Sequence, residues 1–237
     1  MNTRELIAVR PDDAGVAPAK SVCWSCRSEV GSEPQCPSCV KLQPLGRNSD
    51  YFTVMGLPRK LQIDVRVLEP VFHALSRRFH PDVYRMASSR ERLIALENSA
   101  VLNQAYRTLR DPFERAAYLS QLEAGRSTET TAAPPADLFE EILEIQELLG
   151  EYRFSEEEDQ PGLRSALEEK QAAMQAEQTR REAELTGPLF ARWDALQENA
   201  NPNPSEKEAV LTDIRRILGE RAYLRRVLDS LREALSN

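Results

Sequence analysis

Two groups of residues in this 237-residue chain have types and spacings that could do chemistry. The first is its only four cysteines, Cys23, Cys26, Cys36 and Cys39, spaced C-x2-C, nine residues, C-x2-C. Each C-x2-C can form a tight knuckle that aims two thiolates at one point. Two knuckles on a hairpin complete a tetrahedral four-sulfur site, the arrangement Zn2+ prefers, and iron fits the same sulfur cage. Two disulfides are the competing use, opposed by a reducing cytosol. A redox C-x-x-C is another, but no βαβ pattern lies beside the cysteines. A site closed by four protein thiolates has no open position for water, so its role is structural rather than catalytic. Arg27 and Val40 follow the second cysteine of each pair, where many knuckles carry Gly. Trp24 is expected to pack against the site, because so small a unit has little other core.

The second group is His80-Pro81-Asp82. His80 and His73 are the only histidines, and neither has a partner from which a Ser/Cys-His device could be built. His73 reads as a surface or interhelical residue. The tripeptide is therefore a candidate for recognition rather than for catalysis, and its neighbours show how it is held. Leu68, Phe72, Leu75 and Phe79 recur four, three and four apart, one face of a helix. Pro81 cannot continue that helix and biases His80 out of the helical region. A second pattern follows, with Leu93, Leu96, Ala100, Asn103, Tyr106 and Leu109. The prediction is an antiparallel helix pair with His-Pro-Asp on its tip, where exposed polar residues serve recognition.

These residues resemble a J domain, the module that stimulates the ATPase of seventy-kilodalton heat-shock chaperones. The resemblance covers Asp50 to Leu122. It rests on Asp50-Tyr51-Phe52-Thr53-Val54-Met55-Gly56-Leu57 as a short first helix, on Arg77-Arg78-Phe79-His80-Pro81-Asp82, and on Asn103-Gln104-Ala105-Tyr106-Arg107-Thr108-Leu109. Leu57-Pro58 is expected to end the first helix. Asp64 is an N-cap candidate for the second, with Pro70 inside it predicting a late start or a bend. Ser88 with Glu91 predicts a capping box for the third, and Asp111-Pro112 a cap and first-turn proline for the fourth.

The remainder reads as a second helical domain. Gly125 to Pro135 is rich in Ser, Thr, Ala and Pro and reads as part of a linker. Leu138, Ile142, Ile145 and Leu149 make one helix face, and Leu163, Leu167, Lys170 and Met174 lead a second, long helix. Gly187-Pro188 should kink or split that helix. Asn201-Pro202-Asn203-Pro204 is a turn, Ser205 and Glu208 predict a capping box, and Val210, Ile214, Ile217, Arg221, Leu224, Leu228, Leu231 and Leu235 continue to the end. Three helices joined by short turns make an antiparallel bundle. The expected fold is all-α: a tail over 1–20, a four-Cys zinc knuckle over 21–42, a four-helix J domain over 50–122, a linker over 123–136 and a three-helix bundle over 137–237.

Composition narrows the function. A net charge of −7 opposes a general nucleic-acid binder, which carries a basic footprint. No run of eighteen apolar residues is present to span a membrane. Residues 1–18 lack an apolar h-region and carry acidic residues, unlike a secretory or transit signal, so a cytoplasmic protein is expected.

A J domain followed by a short linker and a three-helix bundle resembles the HscB family, co-chaperones of iron–sulfur cluster biogenesis. Asp111-Pro112-Phe113-Glu114-Arg115-Ala116-Ala117-Tyr118-Leu119 is similar to the family segment that closes the J domain, and Leu138-Phe139-Glu140-Glu141-Ile142-Leu143-Glu144-Ile145 to its first bundle helix. Some members carry an N-terminal double C-x-x-C extension like this one. The resemblance spans about residues 20 to 237, strongest over 50–149 and weakest over 160–205. It implies a protein that is not an enzyme but an ATPase activator of a partner. His80, Pro81 and Asp82, with Arg77 and Arg78, would engage an HscA/DnaK-type chaperone. Leu138, Phe139, Leu143 and Tyr223 would hold the cluster scaffold protein. Glu140 departs from the family's usual apolar residue there. Phe139 and Leu143 lie off the Leu138-Ile142-Ile145-Leu149 face, and two apolar residues one turn apart outside a core stripe are best explained by a partner. A general J-domain co-chaperone with another client is the nearest alternative. A zinc-ribbon protein associated with nucleic acid is more distant.

Overall fold

The computed structural model of the protein describes residues 21–31, 33–45, 49–124, 134–199 and 201–236. The expected tail over 1–20 and most of the expected linker over 123–136 lie outside them. Among the described residues the fold is all-α apart from a two-residue antiparallel ribbon, β1 (Ser21–Val22) paired with β2 (Glu29–Val30). The chain divides into two compact units, 1–115 and 116–237.

The first unit holds the ribbon, α1 (Tyr51–Val54), α2 (Val65–Phe79), α3 (Ser89–Arg110) and the start of α4 (Pro112–Ala124). Asp50 caps α1 by accepting from the Thr53 N–H at 2.9 Å. The helix ends before Leu57-Pro58, because Gly56 takes φ +65° and turns the chain after Met55. Asp64 caps α2 through the Arg66 N–H at 2.8 Å, and the helix starts there despite Pro70. Only one intrahelical bond, the one that residue 70 would donate, is forfeited. Ser88 caps α3 as expected, accepting from the Glu91 N–H at 3.3 Å. Asp111 caps α4, accepting from the N–H groups of Phe113 and Glu114 at 2.8 and 2.9 Å.

Leu68 and Phe79 of α2 are buried, and the Phe72 ring stacks on Tyr106 of α3 at 4.1 Å. The inward face of α3 differs from the expected one. It consists of Glu91, Ile94, Ala95, Asn98, Leu102, Ala105, Thr108 and Leu109, whereas Leu93 and Leu96 are 55% and 58% exposed. Small residues let neighbouring backbones approach, and two polar residues on that face have dedicated partners. Both properties hide a buried face from a reading based on bulky apolar spacing.

The second unit holds the rest of α4, then α5 (Phe139–Phe154) after a 3-10 turn at Ala136–Leu138. It continues with α6 (Gln160–Glu184), α7 (Phe190–Glu198) and α8 (Pro204–Ser236). Ile145 and Leu149 of α5, Leu167 and Met174 of α6 and Leu224, Val227, Leu228 and Leu231 of α8 form one core. Gly187-Pro188 does not split the long helix. A π-helical turn, Leu185–Leu189, carries α6 into α7, and its wider ring absorbs the proline. The α8 cap is Asn203 rather than Ser205: its Oδ1 accepts from the Ser205 N–H at 3.0 Å, which leaves Pro204 at the first helical position.

Candidate functional site

The two C-x2-C segments fold into matching turns. Cys23 N donates to Ser28 O and Cys36 N to Lys41 O, both at 2.9 Å, while Arg27 N and Val40 N donate back to the carbonyls of Cys23 and Cys36. Arg27 and Val40 take φ values of 63° and 59°, the left-handed conformation that Gly would adopt without strain. A β-branched residue persists there only where its surroundings over-determine the turn. The four Sγ atoms lie within 4.8 Å of one another, with Cys23–Cys39 and Cys26–Cys36 each at 3.6 Å. A tetrahedron of Zn–S bonds of about 2.3 Å has edges of about 3.8 Å, so the cage fits such an ion.

Electrostatics in the cage also call for a cation. The Ser28 hydroxyl, acting against burial and joined by the N–H groups of Cys39 and Ser38, lowers Cys36 to about 6. Burial opposes ionisation of Cys23, but the N–H groups of Cys26 and Ser25 outweigh it and lower its pKa. The Lys41 N–H favours the Cys39 thiolate, yet burial and the three neighbouring sulfurs push that thiol up to about 12. Four thiolates this close coexist only around a positive ion. Cys23, Cys26, Cys36 and Cys39 would hold it, and it would supply cross-linking, not reactivity.

The knuckle is docked on α3. Trp24 donates through Nε1 to Leu42 O at 2.6 Å, and the Arg90 guanidinium lies 4.6 Å from its ring centroid. Trp24, half-buried, thus joins the knuckle to the helix, while the small core itself is Cys23, Val30 and Cys36 with Cys39 packed against it. Lys41 Nζ pairs with the buried Glu91 at 2.7 Å. Asn98 clamps the connecting chain from both sides, Oδ1 accepting from Leu45 N at 2.8 Å and Nδ2 donating to Gln43 O at 2.9 Å. Gln43 in turn donates to Cys23 Sγ at 3.4 Å, so a continuous set of hydrogen bonds runs from the sulfur cage into α3.

The His80 turn stands beside this dock. Pro81–Tyr84 form a 3-10 turn, and His80 Nδ1 accepts from the Asp82 N–H at 3.3 Å. The side chains of His80 and Asp82 are more than half exposed. The backbone that leads into the turn is held by side chains: buried Tyr84 donates to Arg78 O at 3.2 Å, and Ser99 Oγ donates to Phe79 O at 2.9 Å. Arg77 is exposed, whereas Arg78 reaches the knuckle, donating to Gln35 Oε1 at 3.4 Å with Glu33 at 4.0 Å. Val83 and Met86 are exposed next to the turn. His73 pairs with Glu69 on the surface of α2 at 3.7 Å, as expected of a surface residue.

In the second unit Phe139 is 53% and Leu143 48% exposed on α5, while Leu138 and Tyr223 are half-buried and pack against the core cluster. The four expected contact residues therefore split into two exposed and two half-buried. Arg181 of α6, 5% exposed, joins Asp137, Glu177 and Glu220. Neither this hub nor the roles of Ser99, Tyr84 and Asn98 are visible in the sequence pattern. Arg181 sits in the run Thr179-Arg180-Arg181-Glu182, which looks like a solvated face.

No family model matches the chain. Individual relatives do. A co-chaperone protein HscB homolog from Bordetella avium is 36% identical over 159 residues, 64% of this chain and 93% of the relative. The iron–sulfur cluster co-chaperone protein HscB of Mus musculus is 31% identical over 173 residues, 70% of each chain. The chain belongs to the HscB co-chaperone family. The Arabidopsis thaliana HscB homolog is 34% identical, but the match spans 58% of its length. The crystal structure of human HscB superposes with a TM-score of 0.64, covering 90% of this chain and 98% of that one, at 24% identity. This likeness bears out the all-α fold. Among the described residues no helix is long and apolar enough to cross a membrane.

Proposed function

We propose that this HscB-family protein delivers an iron–sulfur cluster scaffold protein to a seventy-kilodalton heat-shock chaperone of HscA/DnaK type and stimulates its ATPase. The observation that carries the reading is the His80-Pro81-Asp82 turn: the side chains of His80 and Asp82 are exposed, while buried Tyr84 and half-buried Ser99 hold the Arg78 and Phe79 carbonyls that lead into it. A docking element of this kind is preorganised, so little ordering entropy is lost on binding. Arg77 supplies electrostatic steering, weakened by salt, and Arg78 adds charge from its place beside the knuckle. Phe139 and Leu143, together with the half-buried Leu138 and Tyr223, form the scaffold-binding surface. Cys23, Cys26, Cys36 and Cys39 hold one structural Zn2+. A four-thiolate site suits a reducing compartment, and the cytoplasm is our assignment.

Phe139→Ala with Leu143→Ala tests the client side. Each truncation removes apolar area that is exposed in the free protein, and anchors of this kind cost about 1–2 kcal/mol each on binding. Isothermal titration of the scaffold should show the weakened affinity while the helices melt at an unchanged temperature. Unchanged affinity would assign the client surface elsewhere and favour a J-domain co-chaperone with a different client.

A further inference from the structure

Among the described residues of the second unit the buried charge at Arg181 engages three carboxylates, and nothing in the proposed function uses it. Its Nη2 donates to both carboxylate oxygens of Asp137 at 2.7 and 2.8 Å. Its Nε donates to Glu177 at 2.7 Å, and its Nη1 donates to Glu220. Arg216 also reaches Glu220 at 3.1 Å, and Arg221 joins Glu182 at 2.7 Å. Taking a guanidinium out of water is costly, and apolar packing of the same volume often serves stability as well or better. The residues that Arg181 reaches suggest why a charge is kept there.

Asp137 lies in the 3-10 turn directly before Leu138 and Phe139. The start of α5 has no side-chain capping bond: Leu138 occupies the cap position. The pair with Arg181 therefore replaces the missing cap as the polar tie on that turn. Glu220 lies on α8 three residues before Tyr223, a spacing that puts both on one side of the helix. One guanidinium thus fastens the segment bearing Leu138 and Phe139, and the helix turn leading to Tyr223, to α6. A fork of fixed donors can set such distances, which a flexible ammonium or an apolar contact does not.

We infer that Arg181 is a positioning residue for the scaffold-binding surface: through Asp137 and Glu220 it sets the register between the Phe139 end of α5 and the Tyr223 turn of α8. The inference rests on the scaffold-binding reading above. Asp137→Asn weakens only the α5 tie, removing its charge and one of its two acceptor oxygens, and Asp137 is exposed enough that the helices should stay folded. Arg181→Lys keeps a buried cation but cannot hold three carboxylates in one plane.

The test is titration of the full chain into a cluster-free scaffold protein, with amide exchange and thermal melting run in parallel. Asp137→Asn should weaken Kd roughly five- to tenfold by loss of preorganisation, raise amide exchange at residues 138–141, and leave melting nearly unchanged. Arg181→Lys should weaken binding at least as much, and the double variant should bind no worse than Arg181→Lys alone, since the Asp137 tie runs through Arg181. If Asp137→Asn binds like wild type while Phe139→Ala with Leu143→Ala does not, the surface stands and the role of Arg181 is overturned. That role is equally overturned if Asp137→Asn or Arg181→Lys lowers melting without moving Kd. If wild type itself fails to bind, the scaffold reading falls and this inference falls with it.

Discussion

The turn around His80 and the face around Phe139 both present side chains to solvent, but they are held by opposite means. The turn shows His80 and Asp82 to solvent and is fixed by bonds to the backbone that leads into it, Tyr84 to Arg78 O and Ser99 to Phe79 O, while Gln35 of the knuckle accepts from the Arg78 side chain. Apart from the bond that His80 Nδ1 accepts from the Asp82 N–H, its exposed side chains can be changed without disturbing what holds it. The Phe139 face is apolar at its surface and grows from the same helix whose other side, Ile142, Ile145 and Leu149, is core. What holds it is side-chain packing and the charges around Arg181. A surface fixed through its backbone tolerates side-chain replacement. A surface fixed through side chains is sensitive to changes some distance away.

The largest effect should come from the turn. His80→Gln is expected to abolish stimulation of the chaperone's ATPase with no change in helix content or melting, because His80 contributes nothing to the core. Turnover of the chaperone with and without the variant measures this. Full stimulation by the variant would remove the turn from the mechanism and erase the contrast between the two surfaces.

Next in size is the metal. Purified protein should hold one Zn2+ per chain, and Cys36→Ser should lose it. Apparent binding energies for such sites, about 10–16 kcal/mol, far exceed what so short a segment gains by packing, so the knuckle should unfold. The damage should extend into the helices. Asn98, 2% exposed, would lose both its backbone partners, and Glu91 would lose Lys41. An unpaired buried amide costs about 1–3 kcal/mol, enough to lower the melting of the first unit and leave the second unmoved. Metal analysis with amide exchange resolved by helix reads both. Unchanged exchange in α3 would show that the knuckle is an appendage rather than a support.

The smallest effect is a pH dependence in the second unit. The carboxyl of Asp137 is opposed by burial but held below its ordinary range by the hydrogen bonds and charge of Arg181. Glu177 is held down first by its hydrogen bond from Arg180, against burial, and then by Arg181. Groups depressed in the folded state stabilise it fully above their unfolded values, about 4, and lose that contribution as pH falls through the folded ones. Stability of α6 and α8 should therefore be level above about pH 5 and decline below it, by a few degrees in Tm, since Asp137 is largely exposed and screened. Asp137→Asn should flatten part of the slope. Amide exchange in α6 and α8 separates this from metal loss in the other unit, and a slope of the opposite sign would contradict the pairing.

Much of this architecture is legible without coordinates. Cysteine spacing alone defines the cage, since thiolates at C-x2-C can converge whatever the rest of the chain does. Asp64, Ser88 and Asp111 mark helix starts because capping is a local interaction. The exposure of Phe139 and Leu143 follows from their position off a clear core stripe. Other features depend on atoms distant in sequence. Leu93 and Leu96 read as core, but helix packing buries Ala95, Asn98 and Ala105 instead. Asn203 displaces Ser205 as a cap through the restriction that Pro204 imposes, a choice decided within a few residues yet ambiguous in one dimension. Arg181 looks like any charge on a wet helix until Asp137, 44 residues away, and Glu220, 39 residues away, are brought to it. Composition and local spacing thus determine which groups are available and which short segments nucleate. Only the folded chain decides which polar residues are taken out of water, because the cost of burying them is met by partners that sequence distance conceals.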